Sequence, residues 1–209
     1  MKEYITVKGY SRAEIEIKHS RFIASAKHVE SREEAVEFLA KITKEFSDAT
    51  HNCYAYVSDV LGNEIKFSDN GEPSGTAGQP ILDVITKIGL KQIIVVVTRY
   101  FGGIKLGAGG LVGAYSSSAS KVVKQMPLVR MRPSKKIELA IPYTFAKKCE
   151  NLPAGYDGQI VEREYSSFVI AVVLLPNEKV DEMRSAFLDL TKGQGEFTVL
   201  GDEYRQILL

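Results

Sequence analysis

Residues 98–111 read Thr-Arg-Tyr-Phe-Gly-Gly-Ile-Lys-Leu-Gly-Ala-Gly-Gly-Leu. A continuously apolar, β-branched run, Gln92–Val97, leads in, and a helical pattern leads out to about Met126. Gly102, Gly103, Gly107, Gly109 and Gly110 permit positive φ and a close approach of backbone to another molecule. The helix start adds unpaired N–H groups and the positive end of a dipole. Arg99 and Lys105 add positive charge. Together these residue types suit a phosphate or another anion. No Gly-Lys-Ser/Thr closes the loop as in a Walker A sequence, and the spacing does not fit the dinucleotide fingerprint. Tight turns and close helix–sheet contacts would use the same glycines, and spacing alone does not separate the two readings.

A second polar stretch, Phe67–Pro80, carries the next candidates. Asp69-Asn70-Gly71 forms turns readily. Ser74, Gly75 and Thr76 offer hydroxyl and N–H donors to an anion. Asp69, Glu72 and Asp83 could instead offer oxygens to Mg²⁺, although a solvated acidic turn explains the same residues. His51 and Asn52 are expected to line the same cleft as Asp69 and Glu72. A lone His beside Cys53, with no second pair, is not a zinc site. His51 as a general base would need Ser74 or Ser116 beside it. Tyr54, Tyr100 and Phe101 fall close to the polar loops, where aromatics beside cations stack on bases; in strands they also serve as core. No catalytic residue, metal or cofactor is assigned.

These loops need a scaffold. Tyr4–Tyr10, Ala13–Lys18 and Arg21–Val29 read as strands, the first two from strict alternation. Ser31 opens a helix, with Glu34 completing a capping box. Asn52–Ser58 and Glu64–Phe67 read as strands. Ser68–Pro80 has no large apolar residue, so it is an exposed loop. A helix follows and stops at Gly89. Pro127–Pro133 is read as a linker from its prolines and basic residues. Beyond it come strand Lys135–Tyr143, helix Thr144–Leu152, strands Gln159–Ser166 and Phe168–Leu175, helix Asn177–Lys192 and strand Glu196–Arg205. That βαββαβ order is ferredoxin-like. The expected fold class is α+β, with domains at 1–133 and 134–209.

Hydrophobic residues make up 44% and charged residues 25% of the 209, an ordinary globular balance that excludes general disorder. A net charge of +1 gives no whole-molecule basic field. Residues 1–133 nevertheless hold 18 Lys+Arg against 14 Asp+Glu, while residues 134–209 hold 9 against 12. A polyanion would therefore meet the first part. The longest apolar runs, Ile93–Val97 and Val169–Leu175, are too short to cross a bilayer, and the N-terminus lacks a signal-peptide core. Cys53 and Cys149 form no C-x-x-C pair and read as buried small hydrophobes. A cytoplasmic location with no membrane contact is expected.

Three segments, His-Asn-Cys-Tyr-Ala-Tyr (51–56), Phe67–Leu82 and Val95–Tyr115, closely resemble the IMPACT (YigZ) family, of the bacterial two-domain type. The resemblance implies a first domain of the ribosomal-protein type, a β-sheet backed by helices, shared with translation factors and small-molecule kinases. It implies a second, ferredoxin-like domain similar to the last domain of elongation factor G. Eukaryotic relatives regulate translation under stress through an extra N-terminal domain. This chain begins directly with the shared domain, so that role is not expected of it. Gln79 stands where relatives commonly have Arg, and Asn70 where many are acidic. The expected function is non-catalytic and translation-associated: binding RNA, the ribosome or a translation-factor protein through a glycine-rich basic cleft. The alternative is a nucleotide- or phosphate-dependent enzyme of phosphoryl-transfer type.

Overall fold

The structure, a computed structural model, describes residues 1–209. It divides into two compact units, residues 2–130 with 208–209, and residues 131–207 with Met1. Both are mixed α+β and built on antiparallel strand pairs.

In the first unit Gly9, at φ 76°, ends the first strand early, giving β1 (Tyr4–Val7), and the second, β2 (Tyr10–Ile17), starts three residues before the expected Ala13. A two-residue turn, Lys18-His19, joins β2 to β3 (Ser20–His28); both residues have positive φ, as a type I′ hairpin turn requires. Helix α1 (Arg32–Glu45) begins at the expected cap: Ser31 Oγ accepts from Glu34 N–H. The Glu34 carboxylate reaches one residue beyond the cap, to Glu30 N–H. Next come β4 (His51–Val57), β5 (Ile65–Ser68), α2 (Gly78–Ile88), β6 (Ile93–Tyr100) and α3 (Gly107–Lys124).

The sheet runs β2-β3-β6-β4-β5. Its central strand explains its own sequence. Ile93, Val95 and Val97 join the core under α2 and α3, while Ile94 and Val96 join the core under α1. All five are fully buried, at roughly 1.5–3 kcal/mol each. A strand covered on both faces has no polar positions to alternate with.

The second unit is built from β7 (Leu128–Ile141), α4 (Ala146–Cys149), β8 (Gln159–Tyr165), β9 (Val169–Pro176), α5 (Val180–Leu190) and β10 (Glu196–Leu208). The order β10-β7-β9-β8 is the ferredoxin-like one. Three expectations change. The linker Pro127–Pro133 is mostly strand, because Val129 and Met131 are alternate buried positions of β7. Thr144–Leu152 holds one α-turn between 3₁₀ turns at Tyr143–Phe145 and Pro153–Tyr156. The helix expected over Asn177–Lys192 opens with a 3₁₀ turn at Asn177–Lys179, and α5 itself runs Val180–Leu190.

Candidate functional site

The loop 67–80 is organised by one carboxylate. Asp69 accepts hydrogen bonds from the N–H groups of Gly75 (2.8 Å), Ala77 (2.9 Å) and Gly78 (2.8 Å). It thereby closes the loop and satisfies the start of α2. Burial raises the Asp69 pKa, but the three N–H groups outweigh it and hold the carboxyl below its usual value. Asn70 sits at φ 44°, and its side chain accepts from Asn52 N–H at 2.9 Å. Gly78 is needed for contact: a Cβ there would come within 2.7 Å of Ser68 backbone. Thr76 is buried, its hydroxyl donating to the Pro73 carbonyl.

Beneath the loop lies a buried polar knot. Glu72 receives Arg99 Nη1 at 2.7 Å and the Tyr115 hydroxyl at 2.8 Å. The Glu72 and Arg99 side chains are only 3% and 7% exposed. Arg99 Nη2 reaches Ser20 Oγ at 3.4 Å, and its guanidinium lies 5.4 Å from both the Phe22 and Phe101 ring centres. Its Nε is buried without a partner. Cys53 Sγ lies 2.9 Å from the Asp69 carbonyl and 3.3 Å from the Tyr115 oxygen. Burial pushes the Cys53 thiol up to about 12 and raises the Tyr115 hydroxyl as well. Neither ionises at neutral pH, so the knot holds one ion pair and two neutral donors. His51 flanks it. Its Nδ1 donates to the Asn70 carbonyl at 2.8 Å, which fixes the tautomer, and its Nε2 stands 4.0 Å from Glu72 Oε2.

Several expected site residues are thus interior. Arg99 is not available to an outside phosphate, because Glu72 takes its charge. Glu72 and Asn52 do not line a solvated cleft. Glu72 is in the ion pair, and the Asn52 amide accepts from Thr98 Oγ1 and donates to the Phe46 carbonyl. Strand alternation sends Tyr54 and Tyr100 to the α1 face of the sheet. There Tyr54 stacks on Tyr56, and the Tyr100 hydroxyl donates to Asp48 at 2.7 Å. Asp69 is committed to three backbone donors. His51 makes no hydrogen bond to Ser74 or to Ser116, which lines a groove with Lys87 and Lys121. The buried Glu72–Arg99 pair joins the two polar stretches.

The exposed remainder is smaller. Phe101 and Ile104 are 47% and 44% exposed, and Lys105, Ser74 and Gly75 are exposed. Gly102 is a contact residue: a Cβ would lie 2.0 Å from the His19 carbonyl oxygen, so the loop rests on the Lys18-His19 turn. Gly103 and Gly107 have φ of 85° and 74°. Gly110 would press a Cβ onto Leu106. Gly109 differs, as does Gly113 one turn on. Both are helical, and a Cβ at either would meet nothing within 4 Å. No side chain caps α3, and its first turn carries no acidic residue. Sequence reasoning missed Ser20 and Tyr115, which no local pattern marks as partners of Arg99 and Glu72.

Residues 18–123 match the family model described as the Impact N-terminal domain. The chain is 39% identical over 205 residues to IMPACT family member YvyE of Bacillus subtilis, covering 96% of this chain and 94% of that one. It is 38% identical over 180 residues to IMPACT family member YigZ of Escherichia coli, covering 85% and 88%. A solved structure titled as a hypothetical protein superposes with a TM-score of 0.63 at 34% identity, covering 96% of this chain and 98% of that one. No helix here is long and apolar enough to cross a membrane. Matching over nearly the whole length, with the motifs that build the buried knot inside the matched region, the chain belongs to the IMPACT family.

Proposed function

We propose that the protein is a translation-associated, cytoplasmic RNA- or ribosome-binding protein, and that its first unit makes the contact through Phe101–Gly110 and the open face of α3. Gly109 and Gly113 carry the reading. Glycine costs a helix about 1 kcal/mol relative to alanine, and neither position needs it for turn or contact. What glycine keeps there is room for another molecule's backbone. Exposed N–H groups at the start of α3, Lys105 and the Phe101 ring supply phosphate donors, charge and a stacking face. From Val84 to Ile137 there is no Asp or Glu to repel a polyanion.

The phosphoryl-transfer alternative has less support, because most of its charged candidates have partners within the chain. Arg99 and Glu72 neutralise each other, Asp69 caps α2, and Asp83 accepts from Gln79. A translation-factor partner at the same surface is the protein-binding version of the proposal.

The test is fluorescence anisotropy with labelled single-stranded RNA at about 50 and about 200 mM salt. Binding that weakens steeply with salt, and that is reduced by Phe101→Ala and Lys105→Ala, supports the proposal. Absence of binding at low salt refutes it.

A further inference from the structure

A groove of about 810 Å³ runs between α2 and α3 on the first unit. Val84 and Ile88 contribute its apolar floor, and Ile88 is 38% exposed. Lys87, Lys121 and Lys124 line it, and no carboxylate does. Lys121 Nζ donates to the backbone carbonyl of Glu14 on β2 at 3.0 Å, so its stem borders the groove and its ammonium sits at the rim on the flank of α3 away from α2. The remaining lining is Ser116, Ser117 and Ser120.

The helix dipole explains part of this pattern. Lys87 ends α2, and Lys121 and Lys124 end α3, where cations are favoured. It does not explain the serines. Ser117 and Ser120 stand four residues before Lys121 and Lys124, where glutamate would pair with each lysine and favour the helix. Serine forgoes both gains. It leaves Lys121 and Lys124 without a carboxylate one turn back, along a furrow edged with hydroxyl donors; on α2, Lys87 does have Asp83 at that position.

We infer that this groove holds the phosphodiester backbone of single-stranded RNA. Its charge complements phosphate, and lysine with serine is a donor set typical of phosphate contacts that carry no base readout. Helices in contact have axes about 8–10 Å apart, so the furrow between them admits one strand, while a duplex would reach only its rim. The inference rests on the RNA-binding reading above and extends it from the loop before α3 to the far end of that helix.

The experiment measures binding of a labelled oligouridylate to the full chain across a salt series. It compares Lys121→Ala/Lys124→Ala, Ser120→Glu, Phe101→Ala/Lys105→Ala and a control on the opposite face, Lys41→Ala/Lys44→Ala. Thermal melting verifies that each variant is folded. The groove pair should lose about tenfold or more in affinity at low salt. Its slope of log K against log salt should fall by about 1.4, roughly 0.7 per lost phosphate contact. Ser120→Glu should weaken binding without removing a cation, and the control should match the wild type. Groove variants that bind like the wild type overturn this inference even if the loop pair loses binding. Loss in the groove variants with an unaffected loop pair supports the groove and refutes the loop reading. Absence of binding by the wild type overturns both. Duplex RNA bound as tightly as the single strand, with the same dependence on Lys121 and Lys124, overturns the choice of a single strand.

Discussion

Replacing Gly109 and Gly113 by alanine should stabilise this protein and impair it at once. Both residues are helical, both are exposed, and a Cβ at either meets nothing within 4 Å. Gly113 lies in the second turn of α3 and should return close to the full helix-propensity difference, about 1 kcal/mol. Gly109 lies in the first turn and should return about half of that. The double variant should gain roughly 1.5 kcal/mol, or about 3–6 °C in melting temperature for a chain of this size. Differential scanning calorimetry reads the gain. Anisotropy with single-stranded RNA should show at least a threefold loss of affinity, because two methyl groups now stand where a ligand backbone would approach. Leucine at position 113 should deepen the loss. A rise in melting temperature with unchanged affinity would refute the claim that the glycines serve a ligand. A fall in melting temperature would refute the claim that the space is open. Gly102→Ala is the contrast, since its Cβ collides with the His19 backbone, and it should destabilise on its own.

Arg99→Met strands Glu72 in the interior and should cost about 3–5 kcal/mol by urea denaturation; adding Glu72→Leu should recover much of that, and a strictly additive pair would argue against direct coupling. Asp69→Asn should lower stability at pH 7, and the gap from wild type should narrow in acid. The folded pKa lies below the unfolded value of about 3.9, so the stabilisation is present above that pH and vanishes as pH falls through the folded value. Urea midpoints at neutral and acid pH measure it, and a gap independent of pH would count against the N–H cluster as the cause. Cys53 should resist thiol reagents in the native protein and react promptly in denaturant; fast native labelling would contradict its burial.

Much of the scaffold was legible because its signals are local. Gln92–Val97 announced a strand covered on both faces, Ser31 with Glu34 announced a helix start, and Gly89 announced a stop, now seen at positive φ. The alternation that placed strands could also have separated Arg99 from Tyr100 onto opposite faces, but proximity to the glycine loop outweighed it. The fate of Arg99 was not legible, since its neutralising partner stands 27 positions away and its second contact, Ser20, 79 away. The Lys18-His19 turn was missed because neither residue is the usual choice for positive φ. Prolines and arginines hid the opening of β7, although Val129 and Met131 kept its period.

The buried knot also bears on the order in which the first unit assembles. Its members come from β3, β4, the loop after β5, β6 and α3, with sequence separations of 27, 43, 62 and 79 between bonded pairs. No pair can form within a local fragment, and Glu72 has both its partners only when β6 and α3 are already docked on the sheet. Interactions absent from the rate-limiting barrier act on the rate of escape from the native state, so variants of the knot are expected to unfold faster and refold at nearly the wild-type rate, which the two arms of a denaturant chevron measure. On that expectation Cys53, Glu72, Arg99 and Tyr115 form a latch, setting how long the first unit stays folded once it has formed.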